Sequence, residues 1–285
     1  MPTTQRSNLI IPEILADAVA GAWPDRIALY GSNAVVESST LPEANRGGST
    51  VRVPYFGSIG EFDDVAEGAP LVPAPLTMTS ETATVQRAGK AVEITAWAQM
   101  AAMYADPYAE AARQIVEGAR RKFDSALVAA AGATGSGQEE VDRSTTTITY
   151  NAVVDALQAF GDQGQDVAAV VVHSKVLGDL RKVADTVGRP LFTDAQQDGL
   201  PRVLGLPLIV SDRAPVISGT PTKYVSLLIK RGALALWYNR VPTVETDRDI
   251  LADTNILSTN IYYVAHRYSR LPGSSKPGVV RLITQ

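Results

Sequence analysis

The sequence contains no cysteine and only two histidines. The first absence excludes disulfide bonds, thiolate nucleophiles and cysteine-based zinc sites. The second limits a general base or an imidazole metal ligand to His173 or His266, or leaves that task to carboxylates. No apolar run approaches the roughly 20 residues needed to span a bilayer, and residues 1–7 lack the layout of a signal peptide. We therefore expect a protein made inside the cell and stabilised by burial and non-covalent contacts.

The sequence also has no excess of basic residues. It contains 26 Lys and Arg and 30 Asp and Glu, which gives a formal net charge of -4. Binding to a nucleic-acid backbone needs clustered cations, so this balance argues against a dedicated DNA- or RNA-binding protein. A content of 45% hydrophobic and 20% charged residues is ordinary for a soluble chain that forms a core. The length of 285 residues fits one large domain or two smaller ones.

The most informative absence is local, since no Lys or Arg occurs between Val53 and Gln86. Strand-like runs, Val51–Tyr55 and Thr82–Thr95, flank this stretch. In the second run the apolar positions change from odd to even residue numbers, and a bulge at Gly89 would place them all on one face of the strand. The stretch carries five acidic residues: Glu61, Asp63, Asp64, Glu67 and Glu81. The pattern predicts a long acidic hairpin without a core of its own, which is marginally stable in isolation.

The same stretch is also apolar, which a freely solvated loop would not favour. Its apolar residues are Phe62, Val65, Leu71, Val72, Leu76 and Met78. A solvated surface loop is one interpretation. Acidic and apolar side chains together favour the other, in which the hairpin lies on a second copy of the chain.

Helical periodicity is clear in two places along the first half of the chain. Residues 8–21 predict a short amphipathic helix with Ile11, Ile14 and Leu15 on one face, followed by an extended arm over residues 22–48. A long helix is predicted from an Asp106 cap to Ala131, with an apolar stripe on one side. On its outer side we expect two ion pairs, Glu117 with Arg121 and Arg120 with Asp124.

From residue 150 onward, the pattern predicts a compact α/β region followed by charged strands. Its elements are a helix from Tyr150, a buried strand Val167–Val172, a helix capped by Ser174, and strands at Leu206–Val210, Tyr224–Ile229 and Ala233–Tyr238. Residues Val241–Asp249 are strand-like but charged on both faces, which is typical of an edge or an interface. Further strands are expected at Thr259–Tyr268 and Val279–Ile283.

No motif for catalysis, a cofactor or a metal ion emerges from this pattern. The glycine-rich segment 132–137 lacks the Gly-Lys-Ser/Thr that ends a phosphate-binding loop. Asp247, Asp249 and Asp253 are spaced like calcium ligands, but Ala252 occupies the position that requires glycine. We interpret His173 and His266 as structural, and expect no cofactor and no enzyme activity.

The order of these elements resembles the major capsid proteins of tailed bacteriophages with the HK97-type fold. Five segments carry the resemblance: Ile11-Pro12-Glu13, Glu67-Gly68 near the hairpin turn, Val170–Ser174, Gly205–Leu208 and Arg231–Trp237. The resemblance implies an α+β fold. It divides the chain into an N-terminal arm (1–49), an E-loop hairpin (50–95), a peripheral domain with a long spine helix (96–149 and 240–272) and an axial domain (150–239 and 273–285).

The resemblance further implies a subunit that forms pentamers and hexamers of an icosahedral shell around double-stranded DNA. Such a protein belongs to the virion and assembles in the host cytoplasm, without a membrane and without sequence-specific DNA binding. Its expected partners are further copies of itself, a portal, and a scaffold or decoration protein. Because the predicted first helix begins within ten residues of Met1, we expect the scaffold to be a separate protein or to be absent.

The first lysine of the chain is Lys90, at the base of the hairpin. Some members of the family join subunits by isopeptide bonds from a lysine in this loop, so we expect a shell without that crosslink. Assembly contacts are expected from Ile11, Ile14 and Leu15, and from Glu61, Phe62, Asp63, Asp64, Glu67 and Leu71 meeting Arg113, Arg120 and Arg121 of a neighbour. The family layout assigns contacts where three capsomers meet to Arg240, Glu245, Asp247, Arg248, Asp249 and Asp253.

Two alternatives stay open at this point. An encapsulin-like nanocompartment shell would have the same fold but enclose an enzyme cargo, with residues 8–21 at its inner surface. A soluble α/β enzyme would use the region around His173 and would form a small oligomer with a convergent polar pocket.

Overall fold

The structure of the protein is a computed structural model. It describes residues 28–38, 41, 49–57, 59, 62, 64–66, 68, 70, 71, 73, 75–101, 107–135, 138–183, 202–268 and 276–285. The predicted helix at residues 8–21 and the Asp106 cap lie outside the described residues.

The described part of the chain contains α-helices and both short and long strands. The helices are α1 (Ala96–Ala101), α2 (Pro107–Gly132), α3 (Tyr150–Gln158) and α4 (Ser174–Lys182), and a 3₁₀ helix spans Gly161–Asp166. The strands are β1 (Val35–Ser38), β2 (Thr50–Phe56), β3 (Met78–Thr84), β4 (Gln86–Thr95), β5 (Gln138–Arg143), β6 (Val167–Val172), β7 (Arg202–Val203), β8 (Leu206–Val210), β9 (Val216–Ile217), β10 (Lys223–Lys230), β11 (Leu234–Tyr238), β12 (Glu245–Asp249), β13 (Thr254–Arg267) and β14 (Val279–Thr284).

The long helix α2 confirms the strongest periodic prediction of the sequence. Pro107 occupies its first position, where the missing backbone N–H costs nothing. Its apolar stripe is buried and includes Phe123, whose ring centroid lies 5.4 Å from that of Tyr263. Helix α2 therefore packs on the sheet that contains β13.

That sheet has five strands and is organised around β13. Strands β4, β11 and β12 all pair antiparallel with β13, and β1 pairs parallel with β11. Strand β12 is an exposed edge, as its charge predicted, but it covers only Glu245–Asp249 rather than the whole of residues 241–249. Strand β13 begins at Thr254, five residues earlier than predicted.

The second sheet has seven strands in the order β5-β14-β10-β6-β8-β7, with β9 paired to β10. Alternate residues of β10 face opposite sides, as a strand requires. Leu227 packs into the core shared with α2 and the first sheet, whereas Leu228 packs into a core with α3 and α4. Strand β14 lies inside the sheet, and all six of its residues are buried.

The hairpin of β2 and β3 is a separate two-stranded sheet. Strand β3 ends at Thr84, and Val85 separates it from β4, which pairs with β13 without a shift from Gln86 to Thr95. The predicted bulge at Gly89 is therefore wrong, because the change of phase falls at Val85. Gly89 serves a different purpose: a Cβ there would lie 2.8 Å from the carbonyl oxygen of Thr259.

Two further predictions need correction. Residues 28–38 do not belong to an extended arm, since Leu29 is buried and β1 joins the five-stranded sheet. Helix α4 is capped by His173 and not by Ser174, because Nδ1 of His173 accepts a hydrogen bond from the backbone N–H of Lys175 at 3.2 Å.

The sheets also cross the predicted domain boundaries. Strand β5 was assigned to the peripheral domain but pairs with β14 in the seven-stranded sheet. Strand β11 was assigned to the axial domain but pairs with β13 in the five-stranded sheet. Both differences arise because sheet membership depends on a partner strand far away in the sequence.

Candidate functional site

The hairpin β2–β3 presents apolar side chains to solvent. Its strands pair from Thr50 with Thr84 to Phe56 with Met78. Beyond the paired strands, Phe62 is 102% exposed and Leu71 is 81% exposed. Other exposed apolar residues of the hairpin are Phe56, Ile59, Val65, Leu76 and Met78. Phe62 and Leu71, the two apolar residues of the hairpin from which assembly contacts are expected, are therefore exposed.

The acidic residues of the hairpin are only partly described. Asp64 is exposed. Glu61, Asp63 and Glu67, together with Ile11, Ile14 and Leu15 of the N-terminal segment, lie outside the described residues. Glu81 points back to its own chain, where its carboxylate lies 2.9 Å from Nε2 of His266.

The arginines of α2 that were predicted to receive the hairpin differ in their surroundings. Arg113 forms ion pairs with Glu110 at 2.7 Å and Glu117 at 3.1 Å, and Arg121 contacts Glu117 at 2.7 Å, as predicted. Arg120 is exposed and forms no ion pair with a described residue. Among the same described residues, no ion pair joins Asp64 to any of these arginines.

Hydrogen bonds stabilise the charges at the start of α2. The side chains of Arg113 and Gln114 donate to Glu110 and lower the pKa of this carboxyl to about 2. An acidic residue in the first turn also interacts favourably with the helix dipole. The exposed residues of α2 around Glu110, Arg113 and Glu117 therefore carry fixed charges of both signs.

The predicted pair between Arg120 and Asp124 is wrong. Asp124 is fully buried, and its Oδ1 accepts hydrogen bonds from the backbone N–H groups of Ala28, Leu29 and Tyr30 at 2.9, 2.7 and 3.3 Å. Its Oδ2 lies 3.6 Å from Nη1 of Arg213. Asp124 thus fixes the segment that precedes β1 to the long helix.

The charged residues at the other end of the five-stranded sheet form internal pairs. Arg240 lies 2.7 Å from Glu245, and Arg248 lies 3.3 Å from Asp253. Oδ1 of Asp249 accepts from the backbone N–H groups of Leu251 and Ala252 and so shapes the turn between β12 and β13. Asp247, on the exposed strand β12, accepts from the backbone N–H of Arg248.

The turn between β12 and β13 exposes apolar residues that the sequence analysis missed. Ile250 is 81% exposed and Leu251 is 100% exposed. Helix α1 begins beside this turn, since the N–H of Ala96 donates to the carbonyl of Asp253 at 3.0 Å, and it adds exposed Trp97 and Met100. The available signal was a pair of adjacent apolar residues inside a charged strand-turn segment.

The surroundings of His173 are those of a helix cap. Its Nδ1 accepts from the backbone of Lys175, its Nε2 lies 3.7 Å from Asp212, and its ring packs against Tyr224 at 4.9 Å. Within the described ranges, no group of three His, Cys, Asp or Glu residues could hold a metal ion. The helices found there are too short or too polar to cross a membrane.

Comparison with known proteins identifies the family. The family described as phage capsid protein matches residues 79–280, which is more than half of the chain. The major capsid protein of Staphylococcus phage phiMR11 is 26% identical over 272 residues, covering 93% of this chain and 92% of that protein.

Solved structures share the fold. The capsid of an empty GTA particle superposes with a TM-score of 0.68 at 17% identity, covering 93% of this chain and 92% of that one. A structure from Gordonia phage Cozz gives a TM-score of 0.65 at 12% identity, covering 93% and 89%. These likenesses confirm the predicted α+β fold of the HK97 type. The chain belongs to the phage capsid protein family.

Proposed function

We propose that this protein is the major capsid subunit of a tailed phage, which closes through pentamers and hexamers into an icosahedral shell around double-stranded DNA. It is a structural component of the virion, assembled in the host cytoplasm, and not an enzyme. The observation that carries the proposal is an exposed apolar hairpin on a chain of the phage capsid protein family. The curated relative named above is a major capsid protein.

In this function the hairpin docks on a neighbouring copy. Burying a side chain such as Phe62 or Leu71 contributes about 1.5–3 kcal/mol, whereas each exposed ion pair contributes about 0–1 kcal/mol. Apolar burial therefore supplies most of the affinity. The acids Glu61, Asp63, Asp64 and Glu67 set the direction of docking by meeting Arg113, Arg120 and Arg121 of the neighbour.

The opposite end of the five-stranded sheet supplies a second contact, where three capsomers meet. Ile250 and Leu251 at its tip give this contact an apolar centre. Asp247, Arg248, Asp249 and Asp253 supply a polar rim next to that centre, and Arg240 and Glu245 extend the charged surface toward the other end of β12. An apolar centre with a polar rim is the usual composition of a specific interface.

The shell is held by non-covalent contacts, since the hairpin contains no lysine and Lys90 lies on β4, beyond its root. A portal, and a separate scaffold or decoration protein, complete the particle. The encapsulin-like alternative is not favoured, because the similar proteins named above are a phage major capsid protein, a GTA capsid and a phage structure.

Electron microscopy of the expressed protein tests the proposal. We expect closed shells, and particles purified from infected cells should contain nuclease-protected DNA. A small uniform oligomer would contradict the shell, and a protein cargo in place of DNA would contradict the phage function. Denaturing electrophoresis of the same particles should give one band near 30.3 kDa, and a ladder of covalent oligomers would contradict the non-covalent shell.

A further inference from the structure

We propose that Glu81 and His266 form a latch that fixes the angle at which the hairpin leaves the five-stranded sheet. The inference rests on the proposed function, because the angle matters through the position at which the hairpin meets a second copy of the chain. In this role both are positioning residues.

The first step is the narrow connection of the hairpin. Val85 alone separates β3, which pairs with β2, from β4, which pairs with β13. The backbone N–H of Val85 donates to the carbonyl of Ser49 at 2.8 Å and holds the two chain segments together at this point. Farther out, Phe56 and Met78 are 60% and 62% exposed. The chain thus enters the hairpin at Ser49 and leaves it at Val85, and a two-stranded sheet with so narrow a connection has a hinge there.

The second step is the contact that spans the hinge. The side chains of Glu81 and His266 are only 17% and 13% exposed, and Oε2 of Glu81 lies 2.9 Å from Nε2 of His266. An ionised carboxylate only accepts hydrogen bonds, so Nε2 donates. At about 3.3 Å per residue, Glu81 lies about 13 Å from Val85 along the strand. A bond at that distance from the hinge restricts rotation far more than a bond at the hinge itself.

The third step is the rigidity of the histidine. Its ring stacks on Trp237 with centroids 6.0 Å apart and meets the ring of Tyr268 edge-on at 5.6 Å. The backbone of His266 pairs with Ala235 inside the five-stranded sheet. The imidazole is therefore fixed by its contacts with the body of the molecule, and its contact with Glu81 in turn restrains the hairpin.

The charge of Glu81 also reaches the neighbouring residues of the same strand. Burial lowers the pKa of Arg267, and nearby Arg281 lowers it further, whereas the charge of Glu81 raises it. Burial, and then the charge of Glu81, raise the pKa of Tyr268. The carboxylate thus interacts with Arg267, the last residue of β13, and with Tyr268, which follows it.

The absence of cysteine makes a direct test possible. Ser80, exposed on β3, and Ser125, exposed on α2, are replaced by cysteine and spin-labelled. The distance between the labels is then measured by pulsed electron paramagnetic resonance, with an excess of unlabelled protein so that only pairs within one chain contribute.

We expect one narrow distance population in the parent protein and in Glu81→Gln, which keeps an oxygen to accept from His266. Glu81→Ala should broaden or shift that population. The matched control is Asp155→Ala, which removes an ion pair with Arg143 of the seven-stranded sheet, away from the hairpin, and should leave the distance unchanged. An unchanged distance in Glu81→Ala, or equal broadening in Asp155→Ala, would overturn the latch.

A second variant approaches the same contact from the body. His266→Ala should broaden the distance as Glu81→Ala does, and the double variant should be no broader than either. Additive broadening would contradict a shared contact. The distance between the labels is measured within single chains. If shells form but this distance does not respond to the Glu81 and His266 variants, only the latch is refuted. A protein that never forms shells would refute the proposed function while the distance result stands.

Discussion

At the scale of single residues, Asp124 shows how a carboxylate inside a helix can serve another part of the chain. Its position on α2 is fully buried, yet three consecutive backbone N–H groups point at one of its oxygens. Those N–H groups belong to a turn that has no helix or strand partner for them. The side chain therefore replaces the secondary structure that this turn lacks.

We expect Asp124→Ala to lower the free energy of unfolding by about 3 kcal/mol or more. The substitution leaves several buried N–H groups without an acceptor, and each such group costs about 1–3 kcal/mol. Urea unfolding of dilute subunits measures the change. Ser125→Ala, at an exposed neighbouring position, is the control and should stay within about 0.5 kcal/mol of the parent. A loss no larger than that of the control would contradict this role of Asp124.

At the scale of elements, the sequence predicts most helices and strands because their patterns are local. Strand β6 has the predicted bounds, and α2 ends within one residue of its prediction. The pairing of the strands, by contrast, cannot be predicted from such local patterns. Nothing in Leu234–Tyr238 indicates that this strand pairs with β13 rather than with β10, since an apolar run fits a central position of either sheet.

The candidate site likewise has some features that the sequence predicts and others that it does not. The apolar and acidic composition of the hairpin predicted exposed Phe62 and Leu71 without any structure. By contrast, the burial of Asp124 depends on a turn almost one hundred residues earlier in the chain. The pairing of Glu81 with His266 spans a still longer separation. Contacts between distant segments are set by the three-dimensional arrangement and leave no periodic signal.

Two glycines of regular elements allow a matched prediction at this scale. Gly118→Ala should stabilise the protein by about 0.5–1 kcal/mol, because alanine favours a helix interior and, apart from its chain neighbours and the backbone of its own helix, no described atom lies within 4 Å of the added Cβ. Gly89→Ala should instead destabilise it by about 1–3 kcal/mol, because its Cβ would lie 2.8 Å from the Thr259 carbonyl oxygen. Thermal unfolding of both variants gives the signs. Equal changes in thermal stability would show that the backbone of β13 can move to make room for a Cβ at position 89.

At the scale of the whole molecule, the proposed function makes the hairpin the part most dependent on other copies. We expect reversal of Glu61, Asp63, Asp64 and Glu67 to lysine to block shell closure while the subunits stay folded. Like charges facing one another across an interface cost several kcal/mol, and the reversed hairpin would face the cations of α2. Electron microscopy and sedimentation measure closure, and circular dichroism measures folding.

Neutral replacements of the same four acids by Gln and Asn are the matched control. They remove the charge but keep the size and leave Phe62 and Leu71 in place. We expect these variants to form shells, with assembly more tolerant of salt than in the parent, because fewer ion pairs are screened. Normal shells from the lysine variant would show that the hairpin docks elsewhere or not at all.

The five-stranded and the seven-stranded sheet each contain a parallel pair between distant segments, β1 with β11 and β5 with β14. Neither sheet can be completed until residues far apart in the chain have met, and such topologies fold slowly. During that delay the apolar hairpin is exposed at a time when aggregation competes with folding. We expect its cluster of carboxylates to keep newly made chains apart during that delay, before any docking takes place.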